Sequence, residues 1–270
     1  MQLAELINGI DNARLVARDA AAVINGLTAD SREVRAGHLF AAFPSSAKSG
    51  KDGRDFIDTA IKSGARAILV PTGTTLSAAL PADVVVIEAD QPRKVFAKMA
   101  AAFYGPQVQT VVAVTGTNGK STVVNFCRQI WQSMEHAAAS LGTIGITANL
   151  KDGSILTRTG LLTTPDPVTL HSEIAELEKA GVTHLAMEAS SQGLDQFRLD
   201  GVKVNAAAFT NLTRDHLDYH GTMQAYGAAK ARLFSEILEA DGVAIINRDI
   251  PEFTELEKAC TARGIRVITF

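Results

Sequence analysis

Thr115-Gly116-Thr117-Asn118-Gly119-Lys120-Ser121-Thr122 places two glycines, a lysine and several hydroxyls where a phosphate could be held. Glycines let backbone N–H groups come close to phosphate oxygens, a lysine reaches the β- and γ-phosphates as a mobile point charge, and a serine directly after it is placed to ligate Mg²⁺. Here those parts are Gly116, Gly119, Lys120 and Ser121. The usual phosphate-loop pattern G-x-x-x-x-G-K-[ST] is one glycine short, since Val114 stands five positions before Gly119. The G-x-x-G-K core alone equally suits an ordinary Gly/Asn turn with a solvated lysine. An apolar strand before it and a helix after it tip the reading toward an anion site, because a helix N-terminus points N–H groups and a positive dipole end at one spot.

Mg²⁺ needs further hard oxygens, usually a carboxylate at the end of a neighbouring strand. Glu188 fits, because in THLAMEASSQ an apolar strand ends on a lone acid and runs into small polar residues. That is the placement of a carboxylate at the C-terminal edge of a parallel sheet. The text FTNLTRDHLDYHG holds His216 and His220, flanked by Asp215 and Asp218. A lone histidine is more often structural than a ligand, and H-x-x-x-H without a nearby cysteine is thin support for zinc. One of these histidines becomes a ligand or acid–base candidate only once Mg²⁺ and phosphate are placed at the same sheet edge. Lys230, in AYGAAKARLF, reads from composition as a helix-surface lysine.

The elements that must position these residues are legible in outline. KMAAAFYGPQVQT ends a helical pattern in Tyr104-Gly105-Pro106, a helix-stopping sequence, and an apolar strand follows, which sets a domain boundary near 107. The preceding residues, 1–107, read as a small α/β domain with a helix at about 54–63, strands at Ala67–Val70 and Val84–Ile87, and a helix from about 92 to 103. In residues 108–270 the strand Val111–Thr115 leads into the loop and a helix runs from Lys120 to Glu135. Further strands are expected at His184–Glu188, Ala206–Thr210, Val243–Asn247 and Arg266–Phe270, with helices near 168–180, 222–239 and 251–263. Continuous apolar strands separated by helices predict a parallel sheet covered on both faces, hence an α/β fold. The segment 143–160 reads as a hairpin turning at Lys151-Asp152-Gly153-Ser154. The chain stops on the strand Val267-Ile268-Thr269-Phe270 without a closing helix, an ending that reads as a cut.

The 270 residues are enough for two ordinary domains, and 26 basic against 29 acidic residues give a net charge of −3. That balance argues against a general nucleic-acid or polyanion binder, so any anion is held by a local site. The two cysteines, Cys127 and Cys260, are far apart and form no disulfide or zinc pattern, which fits the cytosol. No apolar run approaches the ~18 to 20 residues of a membrane span.

Taken together, these residues resemble the Mur ligase superfamily, the ATP-dependent amide-forming enzymes of peptidoglycan precursor synthesis. The stretches that carry the resemblance are DSREVRAGHLFAAF at 30–43, the shortened loop TGTNGKST, LTTPDP at 162–167, and MEASSQGLDQFRLDG running on to TNLTRDHLDYHGTMQAYGAAKARLF. The shortened loop is that superfamily's form, which accounts for the missing glycine. The DSR-type beginning is shared with the branch that completes the pentapeptide. The Thr163-Thr164-Pro165 segment and the Ser190-Ser191-Gln192-Gly193-Leu194 segment ending in Arg198 are similar to the branch that adds the third residue of the stem peptide.

The resemblance implies roles residue by residue. Ser31 and Ser49-Gly50-Lys51 would contact the uridine diphosphate part of UDP-MurNAc-L-Ala-D-Glu, and Thr163, Thr164, Ser190, Gln196 and Arg198 would hold its sugar-peptide part. Gly116, Thr117, Asn118, Gly119, Lys120, Ser121 and Thr122 would bind the ATP phosphates, with Asn247 near the adenine. Ser121, Glu188 and His216 would serve Mg²⁺, and Lys230 matches the lysine that CO₂ converts to a carbamate able to ligate a second Mg²⁺. The stretch PSSAKSGKDG at 44–53 is about three residues longer than the family spacing. A third, C-terminal domain that supplies the amino-acid pocket is expected to be absent, and with it the residues that choose between meso-diaminopimelate and lysine.

The implied reaction is an attack of the D-Glu γ-carboxylate on the γ-phosphate, giving an acyl phosphate that the incoming amine opens. Lys120, the helix N-terminus, Mg²⁺ and Arg198 would offset the repulsion between the two anions. Such a piece is expected to be monomeric and to bind UDP-substrate without full turnover. The alternatives are a pentapeptide-forming or folylpolyglutamate-forming relative, a GTPase-like switch, or a non-catalytic nucleotide-binding module. The switch lacks the guanine-reading N-K-x-D, of which NRDI at 247–250 is only a distant echo.

Overall fold

Runs such as Ala67-Ile68-Leu69-Val70 and Leu185-Ala186-Met187 have no polar face to show to water, and both are fully buried strands. A computed structural model of the chain describes residues 1–17, 21–45, 52–76, 80–160 and 162–270. Ser49, Gly50 and Lys51 lie outside the described residues. The chain divides into two compact units, Met1–Phe103 and Tyr104–Phe270.

The first unit contains α1 (Leu3–Ile7), β1 (Ala13–Ala17), β2 (Gly26–Thr28), β3 (His38–Ala41), α2 (Ile57–Lys62), β4 (Ala67–Pro71), β5 (Val85–Ala89) and α3 (Pro92–Tyr104). Its sheet runs β1-β5-β4-β3-β2 among the described residues, parallel except where β1 lies antiparallel to β5. Phe40, Ile68 and Val86 from three of these strands pack with Ile57 and Ala60 of α2. The expected helix at 54–63 is in fact a 3₁₀ turn, Gly53–Phe56, running into α2. Ser31 sits half-buried in the turn after β2. Beside it the side chain and backbone N–H of Arg32 hold the Asp30 carboxyl down to about 2.

The second unit contains β6 (Thr110–Thr115), α4 (Lys120–Ser133), β7 (Ala138–Gly142), β8 (Gly145–Asn149), β9 (Ile155–Arg158), α5 (Pro167–Lys179) and β10 (His184–Glu188). It continues with α6 (Ser191–Asp195), β11 (Val204–Phe209), α7 (Leu217–His220), α8 (Met223–Arg232), β12 (Leu238–Ile246), α9 (Phe253–Ala262) and β13 (Arg266–Thr269). The described strands order as β13-β12-β11-β6-β10-β7-β8-β9. The first six are parallel, and β8 and β9 add the expected antiparallel hairpin at one edge. The fold class is the α/β arrangement read from the sequence. Helices cover the sheet, with Leu170, Ile174 and Leu177 of α5 and Leu256 and Cys260 of α9 in the largest apolar cluster.

One expectation fails locally. The helix read over 222–239 stops at Arg232, passes through a π-helical turn at Leu233–Ile237, and gives way to β12 from Leu238. After the buried Leu238 the strand continues through the exposed Glu239-Ala240-Asp241, so its text mimics a helix surface. Because β6 lies between β10 and β11, the C-terminal ends of three buried strands converge beside the glycine-containing loop. In open parallel sheets this is the edge where ligands sit. No described helix is long and apolar enough to cross a membrane.

Candidate active site

The loop between β6 and α4 explains its own missing glycine. Val114 is fully buried within β6, paired with Glu188 and Ala208 on the flanking strands, so the position where a longer phosphate loop begins to turn is still strand here. The turn starts at Gly116, whose φ of 143° and close approach to Thr210 leave no room for a side chain. A Cβ there would lie 1.9 Å from Thr210 Oγ1. The segment after β11 braces the turn. Thr117 N–H donates to Asn211 O (2.9 Å), Asn118 N–H to Asn211 Oδ1 (2.9 Å), and Thr210 Oγ1 to Asn118 O (2.7 Å). Gly119, with φ of 85°, then caps α4.

Two lysines close on this loop. Lys120 Nζ donates to Gly116 O (2.9 Å) and Thr117 O (2.8 Å), and burial lowers its pKa. Lys230 projects from α8 onto the same carbonyl, Nζ to Gly116 O at 2.8 Å, with 1% of the residue exposed. It is therefore an interior lysine, not the helix-surface group that composition suggests. Burial, and then the like charge of Lys120, brings its pKa down to about 7, so the neutral amine is accessible near neutral pH. The Tyr226 ring lies 4.4 Å from Lys230 Nζ, one helical turn away, and its hydroxyl is 3.2 Å from Thr117 Oγ1.

Glu188, 1% exposed at the end of β10, accepts from Ser121 Oγ (2.8 Å), Thr143 N–H (2.9 Å) and Thr143 Oγ1 (3.3 Å). Thr143 Oγ1 in turn lies 2.9 Å from Thr163 Oγ1. One hydrogen-bonded line thus runs from the phosphate loop through Glu188 to the threonine pair. Gly142 makes the space, because a Cβ there would fall 2.1 Å from Glu188 Oε1.

These groups line a polar cleft of about 220 Å³ together with Thr117, Asn118, Gly119, Ser190, Ser191, His216, Tyr226 and Lys230. Its lysines, hydroxyls and carboxylate suit the meeting of a polyphosphate with a second anion. His216 is half-exposed in a left-handed conformation (φ 50°), its Nε2 3.6 Å from Asp215 Oδ2. His220 is not in the cleft lining; its buried Nε2 has no hydrogen-bond partner among the described residues, and burial lowers its pKa.

Other predicted residues do not line this cleft. Thr164 is buried, its hydroxyl donating to Glu188 O (2.9 Å) and accepting from Ser190 N–H (3.0 Å), which clasps β10 to the 162–166 segment. Gln196 Oε1 accepts from Arg198 Nη2 (2.7 Å) and Nε (3.2 Å), and Arg198 Nη1 donates to Thr164 O (2.8 Å). Burial lowers the Arg198 pKa. Asn247 Nδ2 donates to Thr210 O (2.7 Å), and Thr122 is exposed on the first turn of α4. Thr143 and Tyr226 went unread in the sequence, and Ser191 was read only as part of the 190–194 segment. Thr143 follows the apolar strand β7 as Glu188 ends β10, and Tyr226 precedes Lys230 by four residues on one helix face, so both carried a signal.

A Mg²⁺ fits what is present. Among the described residues no three His, Cys, Asp or Glu side chains gather as a metal cage. Ser121 Oγ and Glu188, adjacent at the mouth of the loop, instead offer the few hard oxygens with which Mg²⁺ is held beside phosphate and water.

The Mur ligase middle domain matches residues 114–270, and the Mur ligase family catalytic domain matches residues 23–104. A Caulobacter vibrioides protein named UDP-N-acetylmuramoyl-L-alanyl-D-glutamate--2,6-diaminopimelate ligase is 48% identical over 249 residues, 92% of this chain and 50% of that protein. A Bradyrhizobium diazoefficiens protein of the same name is 46% identical over 99% of this chain and 52% of its own length. A solved structure of a ligase of that name superposes with a TM-score of 0.81 at 29% identity, over 100% of this chain and 52% of that one. The chain spans about half the length of the curated relatives it matches. The middle-domain match alone takes in more than half of the 270 residues, and the chain belongs to the Mur ligase family.

Proposed function

We propose that this chain binds ATP and UDP-MurNAc-L-Ala-D-Glu for an ATP-dependent ligation that adds a diamino acid, meso-diaminopimelate, to the D-Glu γ-carboxylate in peptidoglycan precursor synthesis. The observation that carries the reading is the line from Ser121 through Glu188 and Thr143 to Thr163, which joins a phosphate loop to an acceptor wall. The names of the similar ligases, which specify UDP-N-acetylmuramoyl-L-alanyl-D-glutamate and 2,6-diaminopimelate, support this choice of substrates.

In this reading Gly116, Thr117, Asn118, Gly119, Lys120, Ser121 and Thr122 bind the phosphates, with Asn247 at the adenine side. Residues 1–107 take the UDP part through Ser31 and the 49–51 segment. Thr163, Ser190 and Arg198 hold the peptide end, with Thr164 and Gln196 fixing that wall from behind. Ser121, Glu188, His216 and Lys230, as its carbamate, would hold Mg²⁺, which when bound neutralises charge between the two anions. Lys230 is suited to the carbamate because its neutral amine can add to CO₂ near pH 7, releasing one proton to water.

A γ-carboxylate oxygen bonds to the γ-phosphorus and ADP leaves. The amine nitrogen then bonds to the acyl carbon, phosphate leaves, and the amine loses a proton. Lys120 meets the charge that develops on the phosphoryl oxygens. The use of ATP and a nucleotide-sugar acceptor supports a cytoplasmic location for the proposed reaction.

Calorimetric titration tests this directly. The dipeptide acceptor should bind at least ~10-fold tighter than the corresponding tripeptide acceptor, and ATP·Mg²⁺ at least ~10-fold tighter than GTP·Mg²⁺. Preference for the longer acceptor, or for GTP, ends the reading.

A further inference from the structure

Lys230 and Arg232 are two positions apart on α8 and so point to opposite sides of it. Lys230 reaches the phosphate loop, and Arg232 reaches the segment that follows β10. Arg232 Nη1 donates to Leu194 O. Its Nη2 donates to both Asp200 oxygens (3.1 and 3.2 Å), and its guanidinium carbon sits 4.1 Å from the centre of the Phe197 ring. Glu236, one turn on, accepts from Nε (3.1 Å) and Nη2 (3.0 Å) and so fixes the fork itself.

The three anchor points, Leu194, Phe197 and Asp200, bracket the arc that bears Gln196 and Arg198. Phe197 is bent into the left-handed region at φ 59°, which a bulky side chain adopts only when its surroundings hold it there. Asp200 is buried and Arg232 largely shielded, with side-chain exposure of 4% and 14%. A planar fork that spans a carbonyl, two carboxylates and an aromatic face is a role that lysine cannot fill.

We infer that Arg232 is a positioning residue: through α8 it sets the anion-binding arm around Arg198 in register with the phosphate loop, so that the acceptor carboxylate is presented to the nucleotide. The inference rests on the ligase reading, and the two fail differently. If that reading is wrong, the unaltered chain shows no binding of the dipeptide acceptor at all.

The test titrates the unaltered chain and its Arg232→Met and Arg232→Lys variants with UDP-MurNAc-L-Ala-D-Glu and, separately, with ATP·Mg²⁺, alongside melting temperatures. Arg232→Met should raise the acceptor Kd ~10-fold or more while the ATP Kd stays within ~2-fold, since misplacing a positioned group is felt by its own ligand first. Arg232→Lys, which keeps the charge, should also weaken the acceptor alone. If Arg232→Met does not fold, Arg232→Lys decides. Unchanged acceptor affinity in the folded variants, or acceptor and ATP affinities falling together, overturns the inference.

Discussion

At the residue scale, the decisive placement is that of Glu188. A carboxylate that is 1% exposed must have its charge met by donors, and Ser121 and Thr143 provide them. Its position depends on a residue with no side chain at all, Gly142, whose backbone would accept alanine but whose Cβ would fall 2.1 Å from Glu188 Oε1. Gly142→Ala should therefore push the carboxylate from its place and weaken Mg²⁺-dependent ATP binding ~10- to 100-fold, as Glu188→Gln should by removing the charge. The overpacking should cost about 1–3 kcal/mol of stability while the fold persists. Fluorescent-nucleotide titration against Mg²⁺ reads the first effect and thermal melting the second. Undiminished Mg²⁺ dependence in Gly142→Ala would mean that Glu188 does not serve the metal.

At the element scale, α5 is held against the turn between α6 and β11 by a buried histidine. His171 is 2% exposed, its Nε2 is 3.4 Å from Asp200 O, and its Nδ1 has no hydrogen-bond partner among the described residues. Burial depresses its pKa from 6.5 to about 4. The unfolded chain thus takes up a proton at this histidine between pH 6.5 and 4 while the folded chain does not. Stability present above pH 6.5 is therefore lost as pH falls through that window, at up to about 1.4 kcal/mol per pH unit. Urea unfolding of the unaltered chain and of His171→Leu at pH 7 and pH 5 should show the gap between them shifting toward the variant at pH 5. A gap independent of pH would show that His171 titrates normally in the fold. The same scale shows what the sequence could reveal. Strands such as His184–Glu188 and helices such as α5 were legible because their apolar runs are long and their ends carry Asp166 or glycine punctuation. The α8–β12 passage was not, because in β12 the buried Leu238 is followed by three exposed residues. The loop, Glu188 and the DHLDYH segment could be read as candidate chemistry. Arg232, which has nothing in its local text to separate it from a surface arginine, could not, because its partners Leu194 and Asp200 are more than thirty residues away in sequence.

At the scale of the whole molecule, the two units carry separate cores, Phe40, Ile68 and Val86 in one, Leu170, Met187 and Phe209 in the other. The proposal divides the ligands along the same line, with UDP contacts in residues 1–107 and the ATP phosphates in the second unit. A ligand that binds only the native form of one unit stabilises that unit by RT ln(1 + [L]/Kd), about 2.7 kcal/mol at 100-fold excess over Kd. Amide hydrogen exchange resolves where that stabilisation falls, because each backbone N–H reports the opening of its own neighbourhood. ATP·Mg²⁺ should slow exchange in the turn Gly116–Gly119, the first turn of α4 and the β10–α6 junction, leaving β2 to β5 near their free rates. UDP should slow exchange around the Asp30–Arg32 turn and leave the phosphate loop unprotected. Both ligands protecting the same peptides, or UDP protecting the loop at Gly116, would remove the division of labour and with it the assignment of Ser31 to the nucleotide-sugar.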